Sequence, residues 1–186
     1  MSPDAQVPPA APPAGRSASR GRFLLLSLAV LVADQWTKWL VDLHLPEHAV
    51  EPVVPGLLNL THVENTGVAF GLFAAAGHGA GAWLLAALGL AALALVGLYF
   101  WRVPAGNRLL QTSLALVLGG AVGNLIDRVA AGAVTDFIDL YVGTYHWHTF
   151  NVADSAISVG IALIAWDTLV AHRRVGRAGA ATADPA

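Results

Sequence analysis

Two aspartates, Asp136 in Val134-Thr135-Asp136-Phe137 and Asp154 in Asn151-Val152-Ala153-Asp154-Ser155, flank or enter long apolar runs. An ionised carboxylate is costly in such surroundings and is usually there for function. Two carboxylates close together in a low-dielectric site cannot both ionise easily, so one holds a proton while the other stays charged. Such a pair can activate a water with one member and protonate a leaving group with the other, which is the chemistry of an aspartic protease. Its proton affinities belong to the pair rather than to either residue. The plainer alternative for Asp154 is a helix N-cap, since it precedes Ser155 and an apolar run.

Other polar residues gather near the same runs. In Gly119-Gly120-Ala-Val-Gly123-Asn124-Leu-Ile-Asp127-Arg128 the spacing lets Asn124, Asp127 and Arg128 share one helical face. Gly119 and Gly123 form a small-xxx-small pair that favours close helix packing. Arg128 is expected to pair with Asp127 or Asp139 and to fix the architecture around the two aspartates. Asp34 and Lys38 stand i, i+4, the spacing of a helical ion pair. They read equally as a snorkelling interface feature or as a substrate-facing pair. Asn65 lies in the turn sequence Glu64-Asn65-Thr66-Gly67.

Competing chemistries find little support. The chain has no cysteine, which excludes a catalytic thiol, disulfides and thiolate metal sites. The seven histidines show no His-Glu-x-x-His spacing, and His146 and His148 read as interfacial residues of an aromatic loop more readily than as ligands. No Gly-x-Ser-x-Gly elbow, Ser-x-x-Lys pair or phosphate-cradling loop occurs. A net charge of −2 gives no basic surface for nucleic acid.

The elements that must position these residues are membrane spans. Of 186 residues, 56% are hydrophobic and 12% charged, against roughly 25% charged in a soluble domain. The apolar excess gathers into runs of about 20 residues, enough to cross a bilayer. Four spans are expected at about 22–41, 80–101, 108–125 and 152–171. Residues 1–21, rich in Pro, Ala, Ser and Gly, read as a disordered cytoplasmic tail, and 173–186 as a cytoplasmic C-terminal tail. Span one runs on into Asp34-Gln-Trp-Thr-Lys38 without a small-residue cleavage site, so it reads as an uncleaved span and not a secretory signal. Eight of the ten Lys and Arg fall on one side of this topology: Arg16, Arg20, Arg22, Arg102, Arg108, Arg173, Arg174 and Arg177. The positive-inside rule makes that side, and both termini, cytoplasmic. The two long connections then face outward, and the one with Glu51-Pro-Val-Val-Pro-Gly56 and the partly alternating 57–63 has the character of a small β-element. Asp136 and Asp154 thereby fall at the outward ends of antiparallel spans, at one depth.

In five ordered segments the chain resembles the bacterial lipoprotein signal peptidases, or signal peptidase II. These are Asp34-Gln-Trp-Thr-Lys38, Asn65-Thr-Gly-Val-Ala-Phe-Gly71, Gly119-Gly-Ala-Val-Gly-Asn124-Leu-Ile-Asp-Arg128, Val134-Thr-Asp136-Phe and Phe150-Asn151-Val-Ala-Asp154-Ser. The resemblance covers about 22–172. It implies a mainly α, polytopic inner-membrane peptidase with four transmembrane helices and a small extracytoplasmic β-cradle. It implies cleavage of a diacylglyceryl-modified prolipoprotein just before the lipidated cysteine, with no metal or organic cofactor. By the same resemblance Asp136 and Asp154 are the catalytic dyad, and Asn65, Gly120, Asn124, Arg128 and Asn151 support substrate and dyad, with Asp34 and Lys38 in the first-span motif. Partners beyond the substrate would be membrane lipids. Two other readings are a small proton-coupled transporter, which would place its carboxylates near the midplane and show repeats, and a non-catalytic membrane scaffold.

Overall fold

Four helices carry the apolar runs: α1 (Gly15–His44), α2 (Gly77–Arg102), α3 (Arg108–Ala130) and α4 (Val152–Thr182). The computed structural model describes residues 15–67 and 77–182. Within each helix a stretch is long and apolar enough to cross a membrane: Arg20–His44, Trp83–Arg102, Arg108–Ala130 and Val152–Val170. Every expected span is therefore present: the apolar stretches of α1 and α3 run past the expected ends by a few residues, and those of α2 and α4 lie within about three residues of them. Helix α1 begins at Gly15, so the last part of the expected N-terminal tail is helical, whereas residues 1–14 lie outside the described residues. So do residues 68–71 of the second family segment.

Helix α3 is the centre of the bundle and packs against α1, α2 and α4. Its small residues permit this. A Cβ on Gly119 would meet the Ser27 carbonyl and Val30 of α1, and one on Gly120 would overlap the Ala153 carbonyl of α4. The glycines thus set two helix–helix distances, the packing role expected of small residues in membranes. At the basic end, Phe23, Phe100, Val103, Leu110, Leu114 and Ala115 form an apolar cluster. There the Arg20 guanidinium donates to the carbonyls of Trp101 (2.9 Å) and Val103 (3.3 Å), and the Gln111 amide to those of Phe100 and Val103. A cation and an amide so satisfy the open C-terminal carbonyls of α2.

The opposite end carries a four-stranded antiparallel sheet in the order β1 (Val50–Val54), β2 (Leu58–Asn65), β3 (Val134–Val142), β4 (Tyr145–His146). The β-element expected around 57–63 is β2 with its hairpin partner β1, joined through Gly56 at φ +84°. The unexpected member is β3. Gly132, at φ +79°, turns the chain out of α3, and the strand that follows pairs with β2 so that Val63 faces Asp136 and Asn65 faces Val134. Ile138 also exchanges backbone hydrogen bonds with Phe150, at 2.8 and 3.1 Å. That bridge brings the entry of α4 alongside β3, and it is what joins the two aspartates.

Candidate active site

Asp136 is fixed by its strand. It is 2% exposed, and its Oδ2 accepts from the Asn65 amide of β2 (2.9 Å) while Oδ1 accepts from the Asn151 amide (2.7 Å). Burial pushes its carboxyl above the usual carboxylate range. The charge of Asp154 pushes the same way, and the Asn65 and Asn151 hydrogen bonds and the Lys38 charge only partly oppose this.

Asp154 is fixed by a helix start. The N-cap of α4 is Asn151, not Asp154: the Asn151 Oδ1 accepts from the Asp154 N–H (2.9 Å). Asp154 returns the bond, its Oδ2 accepting from the Asn151 N–H (3.3 Å). This is a reciprocal capping box with Asp in the third position, and it sets a carboxylate at the positive end of the helix dipole. The other oxygen, Oδ1, accepts from the Asn124 amide of α3 (2.7 Å). Asp154 is thus not the N-cap that the sequence suggested but the third residue of the box, with Oδ2 engaged there and Oδ1 turned to Asn124.

Asn151, fully buried, touches everything: Asp136 and Asp154 directly, Asn124 at 3.2 Å and the Thr135 carbonyl at 3.4 Å. Beneath it lies a buried ionic cluster. The Lys38 ammonium, 3% exposed, donates to Asp34 (2.7 Å), Asp127 (2.5 Å) and the Asn124 Oδ1 (2.9 Å). Asp34 also accepts from the Ala153 N–H of α4 (2.9 Å), and a Cβ on Gly123 would collide with its carboxylate. The Asp34–Lys38 pair therefore faces the bundle centre, and the snorkelling alternative does not hold.

Arg128 departs from expectation. Its guanidinium donates to the Asn124 carbonyl (3.2 Å), and among the described residues it has no carboxylate at ion-pair distance. Asp127 is taken by Lys38 and Gln35, and Asp139 by Asn59 (2.8 Å) and His146 (2.9 Å). Asn124, Arg128 and Asp154 line one side of a cavity of about 260 Å³, closed by Leu85, Gly89 and Ala92 of α2 and by Ala121, Leu125 and Ile157. An arginine with no counter-ion among the described residues, a carboxylate and an apolar wall meet there. His146 is likewise more than interfacial, since it stacks on Tyr141 (centroids 5.0 Å) and holds Asp139. Together with Asn59 it outweighs the effect of burial and leaves the Asp139 carboxyl below its usual range.

One participant was not singled out from sequence. Gln35 donates to Asp34 and Asp127, and it adjoins Asp34 in the first segment. The capping role of Asn151 was readable from its three-residue offset to Asp154. Among the described residues no cluster of three His, Asp or Glu could hold a metal ion.

Fold and site together define a polytopic membrane protein built around two neighbouring carboxylates, one buried and one half-buried, set where a small sheet meets the helix ends. The family model described as "Signal peptidase (SPase) II" matches residues 26–170. A lipoprotein signal peptidase of Geobacter metallireducens is 44% identical over 152 residues, 82% of this chain and 93% of that protein. One of Polynucleobacter necessarius is 44% identical over 154 residues, 83% of this chain and 93% of that protein. A bacterial membrane enzyme solved by the in meso method superposes with a TM-score of 0.72 at 30% identity, covering 80% of this chain and 93% of that one. The chain belongs to the signal peptidase II family of multi-pass bacterial membrane peptidases.

Proposed function

We propose that this protein is an aspartic endopeptidase that removes signal peptides from diacylglyceryl-modified prolipoproteins, with Asp136 and Asp154 as its dyad. The observation that carries the reading is that one residue, Asn151, hydrogen-bonds both carboxylates, beside a cavity also lined by Arg128. Asp136, whose proton affinity is raised, is the acid. Asp154, at a helix N-terminus, is the base.

Asp154 takes a proton from a water as its oxygen attacks the scissile carbonyl, and Asp136 gives its proton to the carbonyl oxygen. The proton on Asp154 then passes to the leaving nitrogen as the C–N bond breaks, and one hydroxyl of the tetrahedral intermediate returns its proton to Asp136 as the carbonyl re-forms, which restores both carboxyls to their starting states. Water is consumed, and no metal or organic cofactor enters the balance. Arg128 offers its free N–H groups to the substrate backbone. Asn65, Asn124 and Asn151 hold the dyad, Gly120 keeps α3 against α4, and Asp34 and Lys38 anchor the cluster below.

The substrate's apolar signal segment enters from the bilayer. Membrane lipids and the precursor are the partners, and no nucleic acid is involved. The positive-inside rule favours cytoplasmic termini and a site near the outer face of the inner membrane. The test is reconstituted cleavage of one precursor with and without its diacylglyceryl group. Cleavage confined to the lipidated form, just before the modified cysteine, is expected, and equal cleavage of both forms contradicts the substrate assignment.

A further inference from the structure

We propose that Lys38, held between Asp34 and Asp127, is a positioning residue that locks the Asn124 amide with its nitrogen toward Asp154. The inference rests on the dyad reading. Lys38 is 3% exposed and belongs to the first helix, yet its third donor is aimed across the bundle at Asn124 Oδ1, 2.9 Å away. An ammonium can only donate, so the atom it faces must be the amide oxygen. Asn151 adds a second donor to the same oxygen at 3.2 Å. The amide is planar, so its nitrogen then points the other way, to Asp154 Oδ1 at 2.7 Å. A flipped amide would set its N–H groups against two donors and its oxygen against a carboxylate, losing all three bonds.

The ammonium itself cannot wander. Asp34 holds it at 2.7 Å, is anchored in turn by the Ala153 N–H of α4, and occupies space that Gly123 leaves free. Asp127 holds it at 2.5 Å and is fixed by the Gln35 amide at 2.8 Å. Three helices thus determine where one nitrogen sits. The charged groups around Asn124 are Asp34 and Lys38 from α1, Asp127 and Arg128 from α3, Asp136 from β3 and Asp154 from α4. Of these only Lys38 donates to the amide oxygen. Asn124 can therefore support the ionised member of the dyad only in the orientation that Lys38 imposes.

The test uses the full chain in lipid. The double variant Lys38→Met, Asp127→Asn removes the ammonium together with one of its two counter-charges. Its kcat should fall on the order of 100-fold, the scale of one lost active-site donor, with KM unchanged. A purely structural lysine would lower the melting temperature and leave kcat per folded enzyme intact, and that result overturns the proposal. If the double variant does not fold, Asn124→Asp decides, because it matches asparagine in shape and still accepts from Lys38 and Asn151. It should be inactive at neutral pH and gain activity as the pH falls, when the new carboxyl acquires a proton to donate to Asp154. Wild-type activity at neutral pH, or no gain on acidification, overturns the lock. Asp136→Asn and Asp154→Asn run in parallel separate the two failures. If both are inactive while the Lys38 and Asn124 variants keep full rate, the lock falls and the dyad stands. If they cleave, the dyad reading falls.

Discussion

Asn151 does two jobs that a pair of substitutions can separate. It caps α4 through Oδ1 and donates to Asp136 through Nδ2. Asn151→Ser keeps a good cap, but its hydroxyl is one bond shorter and cannot span the 2.7 Å contact to Asp136 from the same backbone position. Asn151→Ala loses both functions. In the proposed reaction Asp136 gives up its proton, so the lost donor would have stabilised developing charge, where a hydrogen bond contributes about 1.5–3 kcal/mol. At about 1.4 kcal/mol per tenfold in rate, Asn151→Ser should cleave about 10- to 150-fold more slowly while melting close to wild type. Asn151→Ala should be at least as slow and in addition lose about 1 kcal/mol of stability from the missing cap. The hydrogen bond also holds the proton affinity of Asp136 down, so removing it raises that affinity further. With Asp136 as the acid, the alkaline limb of the pH–rate profile should move upward in both variants. Single-turnover cleavage across pH, with melting curves on the same preparations, reads all three effects. A wild-type rate for Asn151→Ser, or equal loss of stability in the two variants, would refute the division of labour.

The glycines make a packing prediction. Gly120→Ala puts a methyl into the Ala153 carbonyl of α4. It should cost about 1–3 kcal/mol of stability and should also reduce cleavage by separating Asn124 from Asp154, both measurable on one purified sample. The Asp139 carboxyl is held below its usual range, since the bonds from Asn59 and His146 outweigh burial. Its stabilisation is complete above the unfolded value and is lost as pH falls through the lower native value. The melting-temperature gap between wild type and Asp139→Asn should therefore be widest near neutral pH and close in acid. Chelators should leave cleavage unchanged, and strong inhibition by EDTA would point back to the histidines.

The spans were legible because crossing a bilayer demands long apolar runs. The two aspartates were legible for a related reason, since Asp136 and Asp154 stand beside the ends of neighbouring apolar runs. Harder to read were the partners. Lys38 announces Asp34 through i, i+4 spacing, but its second carboxylate, Asp127, comes from α3, 89 positions along the chain. No local pattern encodes that contact. Arg128 illustrates the same limit: two acidic residues near it in sequence are both engaged elsewhere, leaving its guanidinium beside the cavity. The strand around Asp136 was hidden because its pairing depends on β2 and on the Phe150 bridge, both remote in sequence. Helix α1 begins earlier than composition suggested, since Gly15–Gly21 continues a long apolar helix rather than starting one.

The most direct measurement is cleavage of a lipidated precursor by Asp136→Asn and Asp154→Asn enzymes reconstituted in lipid, each checked for an intact melting transition. Each substitution keeps side-chain shape and removes one titrating carboxyl. Loss of cleavage in both folded variants is the expected result. Cleavage by either at the wild-type rate would contradict the assignment of the two aspartates as the catalytic pair.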